Sequence, residues 1–394
     1  MAITFNKHTA LGIMRALRAN RTRSTAHKRT DIIPPSLEKG KRFTRGVLDS
    51  LELGIPYCLA NNHLDIAVPS RAMRIRAHDT ASTIYARGIP SRSFVALNND
   101  VAISGPELLF VELADSMDPI EHLLLGHELC GTFSRDAGDP YNGPVAYFID
   151  PATSTDKIKR FLDCAKSIRG IDAARKTLSL LNDNAWSPTE SLCAAFLRLP
   201  IDSLGLELGE LTLNPRKTSE HILPGSKSSR VPDIVIKGTP VGVNYDGLAH
   251  LDLTSIAQAA IELGSHPGVA QTEAALDKAL RDVREKALDD IRRNRELAAD
   301  GLTVFPLLKE DLYWPRGFDQ VALQLVELLE RTSGRDMKRQ RKALRQERLS
   351  EERYKKMLSF LPGQHERSVE MKRFIEGHML YDGPHEVREF WIEL

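Results

Sequence analysis

Apolar residues change their spacing along the chain, and each change marks a different kind of element. Short apolar runs at residues 64–68, 93–97 and 101–103 are broken by turn-forming residues, which predicts strands in a small β-rich or α+β unit. Ser104-Gly105-Pro106-Glu107 then predicts a helix start, since proline and an acid suit a first helical turn. Helical periodicity predicts helices over residues 8–20, 118–133, 155–168 and 170–182.

A second arrangement begins at Ser187-Pro188-Thr189-Glu190. Ser187 can cap a helix, Pro188 suits its first position, and Glu190 fills the capping-box position, which predicts a helix over 188–198. Two strands follow in the pattern, at residues 231–236 and from Val241 to Asp246, joined by a turn. A helix over 272–299, a strand over 302–305 and a helix over 318–331 complete an α/β pattern.

Ser333-Gly334 then precedes a charged segment that predicts one helix over 335–359. The sequence therefore predicts three units. They are an α+β domain with a basic N-terminal arm over 1–185, an α/β domain over 186–332, and a basic helical C-terminal extension over 333–394.

Composition narrows the class of protein. Of 394 residues, 42% are hydrophobic and 27% are charged, so the chain can fill globular cores. We expect a cytoplasmic protein without a membrane partner, because the sequence has no apolar run of bilayer length and no signal-peptide pattern. The four cysteines form no CxxC pair, which argues against a disulfide framework or a zinc knuckle.

Positive charge gathers near both ends of the chain although the net charge is only +1. Between Lys7 and Arg45 there are eleven lysines and arginines against two acids, and between Arg335 and Lys356 there are ten against four. Such ends can attract a polyanion, but a solvated tail and a solvated helix face explain them equally well.

Polar residues at strand ends indicate a metal site. Asn244 and Asp246 lie two apart on a strand and therefore share a face, which Asp233 can reach if the two predicted strands pair. Glu190 can add a third carboxylate from its helix start. Oxygen ligands of this kind suit Mg²⁺ or Mn²⁺, although any one of these acids alone is more simply a capping or strand-end residue.

Two further residues could assist such a site. His250 lies four residues after Asp246 and could act as a general acid or base. Lys286 shares a helical face with Asp290 and Arg293 and could approach a phosphate. For Asp290 and Arg293 themselves, the favoured interpretation is an internal ion pair that anchors the helix.

The motifs occur in an order that resembles a known family. Ser187-Pro188-Thr189-Glu190 is followed by Pro232-Asp233, by Tyr245-Asp246-Gly247-Leu248-Ala249-His250, and by Asp290-Ile291-Arg292-Arg293 with Leu297, Gly301 and Val304. Residues 187–330 thus resemble PD-(D/E)XK proteins related to the very-short-patch mismatch-repair endonucleases. The resemblance implies a restriction-endonuclease-like mixed sheet flanked by helices, with Glu190, Asp233 and Asp246 as metal ligands. The family usually has glutamate where this chain has Asn244.

The upstream region resembles a second family. Residues 64–114 are similar to the C-terminal part of antitoxins of AbiE-type abortive-infection systems. The resemblance lies in Ile89-Pro90, Val101-Ala102-Ile103 and Ser104-Gly105-Pro106-Glu107-Leu108-Leu109. It implies an AbiE-antitoxin-like domain over 1–185 and a role in phage defence, with a toxin or another defence protein as partner.

Two functions follow as hypotheses. The first is a metal-dependent DNA endonuclease, with Asn244 as a neutral auxiliary ligand. The second is an inert nuclease fold that binds DNA or acts as an antitoxin-like regulator; a purely structural interaction protein is a third alternative. The residues expected to contact nucleic acid are Arg230, Lys237, Arg293, Lys338, Arg339, Arg341 and Lys342.

Overall fold

A computed structural model of the protein describes residues 2–20, 28–36, 63–85, 87–215, 231–246, 253–265 and 270–362. Its strands are β1 (Ile3–Phe5), β2 (Arg29–Thr30), β3 (Leu64–Val68), β4 (Thr80–Ile84), β5 (Phe94–Ala96), β6 (Val101–Ser104), β7 (Phe133–Ser134), β8 (Ala146–Tyr147), β9 (Leu211–Leu213), β10 (Ile234–Ile236), β11 (Val241–Asp246) and β12 (Thr303–Leu308).

The helices account for most of the remaining regular structure. They are α1 (Lys7–Ala19), α2 (Pro106–Leu113), α3 (Pro119–Cys130), α4 (Thr155–Cys164), α5 (Ile171–Leu178), α6 (Pro188–Arg198), α7 (Leu253–Ser265), α8 (Ala270–Ala299), α9 (Lys309–Tyr313), α10 (Gly317–Ser333), α11 (Lys338–Arg345) and α12 (Glu347–Leu358). Among the described helices, none has the length and apolar composition needed to cross a membrane.

The protein is a mixed α/β structure with two main sheets. The N-terminal sheet has six strands in the order β2-β5-β6-β1-β3-β4, and both parallel and antiparallel pairs occur in it. The second sheet has four strands in the order β12-β11-β10-β9. In this sheet β9, β10 and β11 are antiparallel neighbours, while β12 runs parallel to β11 after the crossover through α7 and α8.

Helices α3 and α6 pack together between the two sheets. Along α6 every residue from Glu190 to Leu197 is buried, and α3 is buried from His122 to Cys130. A helix that is enclosed on all sides needs small residues where its neighbours approach, and Ala194 and Ala195 supply them at zero exposure. A single connected cluster of buried side chains runs from β1 to the end of α12 and passes through both helices.

Several predicted boundaries are confirmed. The strand at residues 64–68 and the helix over 188–198 begin and end where the sequence predicts, because each has a strong local signal. The single charged helix predicted over 335–359 is wrong. The chain leaves helical geometry at Gln346, which separates α11 from α12. A continuous helix would turn the polar Gln346 and Glu347 inward after buried Leu344, whereas the break keeps both exposed.

Charged groups fix two of the peripheral helices. Arg15 of α1 donates two hydrogen bonds, of 2.9 and 2.7 Å, to the buried Glu128 of α3. Burial opposes ionisation, but the paired guanidinium lowers the pKa of Glu128 to about 2. At the other end, the fully buried Arg353 of α12 binds Asp319 of α10 at 2.6 and 2.7 Å.

A buried acid stands at the end of the N-terminal sheet. Glu112 of α2 accepts hydrogen bonds from the Tyr85 hydroxyl, from Ser104 Oγ at 2.8 Å and from the Lys7 backbone N–H at 3.0 Å. Burial outweighs these donors and raises the pKa of Glu112 to about 7 from an ordinary 4.5. Its folded form therefore retains a proton at a pH where the unfolded chain has lost it.

This acid predicts a pH-dependent stability. Because the folded pKa is raised, the contribution of Glu112 is complete below about pH 4.5 and is lost as the pH rises through about 7. We expect the difference in unfolding free energy between wild type and Glu112→Gln to fall by about 3 kcal/mol across that interval. Urea unfolding at several pH values measures it. Glu121→Gln, which removes another tyrosine-bound carboxylate, is the control, and a parallel shift in both variants would contradict the prediction.

Candidate functional site

The start of α6 buries a carboxylate beside the four-stranded sheet. Ser187 Oγ accepts the backbone N–H of Glu190 at 3.1 Å, which confirms the predicted cap. Glu190 Oε2 in turn accepts the backbone N–H of Trp186 at 3.2 Å. The carboxylate therefore folds back over the helix start and is only 3% exposed.

Three polar residues form a row across the open end of the sheet. Asn214 follows β9, Asp233 precedes β10, and Asn244 lies near the end of β11. The Asn214 N–H donates to the Asp233 carbonyl at 2.8 Å, and the Asp233 N–H donates to Asn244 Oδ1 at 2.9 Å. The Tyr245 N–H donates to Asp233 Oδ2 at 2.7 Å. These bonds continue the strand pairing and hold the Asp233 carboxylate in place.

Asn214 connects this row to the helix. Its Nδ2 donates to Glu190 Oε1 at 2.6 Å and to the Asn184 carbonyl at 3.0 Å. Asn184 Nδ2 returns a bond to the Asn214 carbonyl at 2.9 Å. Glu190 and Asp233, which are far apart in the sequence, are thus brought to the same end of the sheet.

The electrostatics of this pair favour a bound cation. Burial raises the pKa of Glu190 well above its usual range, and the negative charge of Asp233 raises it further. Burial and the charge of Asp233 both oppose ionisation of Glu190, and a divalent ion bound beside the two side chains would favour their ionised forms. Burial and the same two acids also raise the pKa of Cys193, which keeps this thiol protonated and unsuited to act as a nucleophile.

Oxygen atoms supply the chemistry of the site. Asn214 is 1% exposed, and its Oδ1 has no hydrogen-bond donor among the described residues. The oxygen and nitrogen of one side-chain amide are at most about 2.6 Å apart. Because Asn214 Nδ2 lies 2.6 Å from Glu190 Oε1, Asn214 Oδ1 lies within about 5 Å of that oxygen. A buried carbonyl oxygen without a partner is costly, and a hard cation or its water would satisfy it. Within the described side chains, no three His, Cys, Asp or Glu residues gather into a metal-binding group.

The remaining predicted site residues are only partly described. The backbone of Asp246 ends β11 opposite Leu308, but its side chain lies outside the description. The same holds for the Lys286 side chain on α8. His250 and Arg230 lie outside the described residues altogether.

Asn244, predicted as an auxiliary ligand, has a hydrogen bond within the fold. It is 1% exposed and its Oδ1 accepts the Asp233 N–H. An amide oxygen has a second lone pair, so this bond does not prevent ligation. The Asn244 side chain thereby satisfies a backbone N–H at the strand end.

Two of the predicted nucleic-acid contacts form ion pairs within the fold. Arg293 pairs with Asp290 on α8 at 3.9 Å, which confirms the predicted internal ion pair. Lys237 occupies the turn after β10, at the end of that strand opposite Asp233, and pairs with Glu210 at 3.2 Å.

The basic helix α11 adjoins this same turn, because Arg335 donates to the Lys237 carbonyl at 3.2 Å just before α11 begins. Its cations have acidic neighbours in three cases, which are Lys338 with Asp336, Arg339 with Glu207, and Arg341 with Glu330. Lys342 is exposed. The predicted cations of the turn and helix therefore lie away from the paired acids.

Asn214 is the site residue that the sequence interpretation missed. Leu211-Thr212-Leu213-Asn214 repeats the pattern of Val241-Gly242-Val243-Asn244, with two apolar residues alternating before an asparagine. This repeat is the sequence signal from which Asn214 could be predicted. A strand of three residues is too short to be identified by periodicity alone.

Comparison of the chain with known protein families, characterised proteins and solved structures found no match. The fold and the site define a mixed α/β protein with a pair of carboxylates at one end of its smaller sheet.

Removing the Asn214 side chain should destabilise the protein. Asn214→Ala deletes the donor that serves both Glu190 and Asn184, so we expect a loss of about 2 kcal/mol or more in urea unfolding. Asn182→Ala is the matched control, because Asn182 Nδ2 makes one bond to the backbone of the same strand at 2.8 Å. Equal losses in the two variants would show that the connection to Glu190 adds no stability.

Proposed function

We propose that residues 186–332 form a restriction-endonuclease-like domain that hydrolyses phosphodiester bonds of DNA with Mg²⁺ or Mn²⁺. The observation that carries the proposal is the convergence of Glu190 and Asp233 at one end of the four-stranded sheet, joined through Asn214. The arrangement of helix, mixed sheet and helix agrees with what the motif order implies.

The side chains at this end suit a hard divalent ion. Glu190, Asp233 and Asp246 would hold the cation, and the amide oxygens of Asn214 and Asn244 would complete a set made only of oxygen donors. A bound divalent ion polarises a scissile phosphate and lowers the pKa of a water molecule. The orphaned Asn214 Oδ1 is the structural observation that supports such a ligand.

The protein groups have separate roles in this proposal. The Tyr245 N–H orients Asp233, and Asn214 orients Glu190, so neither carboxylate has to reorganise when the substrate arrives. His250 would move the proton and Lys286 would approach the phosphate, as the sequence predicts.

Contacts with the DNA backbone are proposed for the basic residues. Lys237 lies four residues beyond Asp233, or about 13 Å along an extended strand. Phosphates held by Lys237 and by α11 would therefore be some distance from the scissile bond, and they would add affinity without reading sequence. A role in phage defence and a toxin partner remain hypotheses based on the upstream resemblance.

Replacing Asp233 should abolish cleavage. We expect wild-type protein to cut DNA with Mg²⁺ or Mn²⁺, and Asp233→Asn to lose at least about a hundredfold in rate, because metal-site acids act mainly in the transition state. Asp100→Asn, at an exposed turn of the other sheet, should retain full activity. Wild-type protein that neither cleaves DNA or RNA nor binds either metal by calorimetry would exclude the proposal.

A second function is favoured by the amide at position 244. Because Asn244 adds no charge where a third carboxylate would strengthen metal binding, we propose as the alternative that the domain binds DNA without cleaving it.

The substitution Asn244→Glu tests the inert alternative. If the parent is inert, a carboxylate at this position should create metal-dependent cleavage, whereas Asn244→Gln, similar in length but uncharged, should not. Gel assays with Mg²⁺ or Mn²⁺ measure both variants, and thermal melting checks that each is folded. Cleavage by the parent that Asp233→Asn removes would exclude the inert alternative.

A further inference from the structure

Three aromatic side chains are exposed on the segments next to the start of α6 and next to β7. Phe148 is 85% exposed, Tyr147 is 42% exposed and Trp186 is 40% exposed. We refer to these three residues as the aromatic patch. The Tyr147 and Phe148 rings are 6.5 Å apart between centroids.

Backbone hydrogen bonds hold the aromatic patch around one short strand. The Thr132 N–H donates to the Ala185 carbonyl at 2.9 Å, and the Ile149 N–H donates to the Thr132 carbonyl at 3.0 Å. On β7, Phe133 pairs with Tyr147 of β8. Trp186 thus flanks one side of this strand and Tyr147 with Phe148 the other, across a span of about 10 Å set by two strand spacings.

Phe148 has an unfavourable conformation as well as an exposed ring. Its φ is 56°, in the left-handed region that bulky side chains rarely adopt. Because the Phe148 ring is exposed, burial of its apolar surface does not compensate for the cost of this backbone conformation. Strain of this kind, maintained at an exposed position, points to a use in binding.

The same contacts that orient the acids also position Trp186. Its backbone N–H donates to Glu190 Oε2 at 3.2 Å, and its indole Nε1 donates to Asn184 Oδ1 at 3.0 Å. Asn184 is joined to Asn214 by two amide bonds. Trp186, one member of the aromatic patch, is therefore joined to the carboxylate pair.

We propose that the aromatic patch binds unpaired bases of single-stranded DNA by stacking. Ring faces accept any base, and stacking of this kind needs no sequence recognition. Large exposed aliphatic side chains, which a protein partner would cover, lie mainly on α7 and α8, at Ile261, Leu280, Leu288 and Ile291, with one more at Leu308 of β12. The half-buried guanidinium of Arg18 donates to the Asp150 carbonyl at 3.2 Å and also to the carbonyls of Glu128 and Gly131, so one positive charge lies beside this segment.

The placement of a stacked base near a scissile phosphate depends on the function proposed above, but the binding of bases does not. Binding can therefore be measured without metal. The probe is a fluorescent twelve-residue oligothymidylate in EDTA, followed by anisotropy, and its comparison is a twelve-residue abasic oligonucleotide with the same phosphates.

Removing a ring should weaken binding to the bases alone. For Phe148→Ala and for Trp186→Ala we expect the Kd for oligothymidylate to rise about 5- to 100-fold, with little change for the abasic strand. Trp186→Phe keeps a ring without the indole N–H and should retain most of the affinity. Met73→Ala, which shortens an exposed side chain in the connection between β3 and β4, is the matched surface control.

Other outcomes would overturn the proposal. Equal losses on both oligonucleotides, no loss in either alanine variant, or equal affinity of wild-type protein for the two strands would mean that the aromatic patch does not stack bases and would favour a protein partner instead. Thermal melting confirms that each variant is folded, and Phe148→Ala should not lower the melting temperature.

The two proposals can fail separately. Base-dependent binding without any cleavage would leave the aromatic patch in place and exclude the nuclease activity. Metal-dependent cleavage of single strands that is unaffected in both alanine variants would exclude stacking and retain the nuclease activity.

Discussion

The Asn214 amide is the interaction on which the carboxylate pair depends. Its Nδ2 satisfies Glu190, which has almost no contact with water, and its backbone N–H fixes the carbonyl of Asp233. A buried acid needs donors on both oxygens, and here one comes from the sheet and the other from the residue before the helix cap. One uncharged side chain therefore links helix and sheet at this end of the domain, through Glu190 on one side and the backbone of Asp233 on the other.

Local signals in the sequence were enough to predict many of the elements. The cap at Ser187 and the proline after it fixed the start of α6, and a run of five apolar-rich residues fixed β3. Long-range features could not be predicted in the same way. That Asn244 accepts the Asp233 N–H depends on the register of β10 against β11, and the break at Gln346 depends on what α11 and α12 pack against. The convergence of Glu190 with Asp233 was predicted from the helix-start and strand-end pattern and from the order of motifs, whereas Asn214 was not predicted because its strand is short.

Acidic and basic residues lie at opposite ends of β10. The acids lie where the strand begins, and Lys237 with the basic helix α11 lies where it ends. A nucleic acid that touched both regions would have to follow the strand direction rather than cross it. The acids and the aromatic patch share one end of the sheet, so chemistry and base contacts would occur together there, while the cations would act only on the backbone.

The enclosed helix α6 has a consequence for how this protein could have been assembled. One side of α6 lies against the four-stranded sheet, and another lies against α3, which belongs to the N-terminal half. Dividing the chain at residue 186 and separating the two pieces would expose apolar side chains on both, because α3 and α6 share one hydrophobic core. Recombination at that point would not yield a freely transferable module. The two halves are therefore expected to be inherited together, with substitutions in α3 constrained by the residues that α6 presents to it.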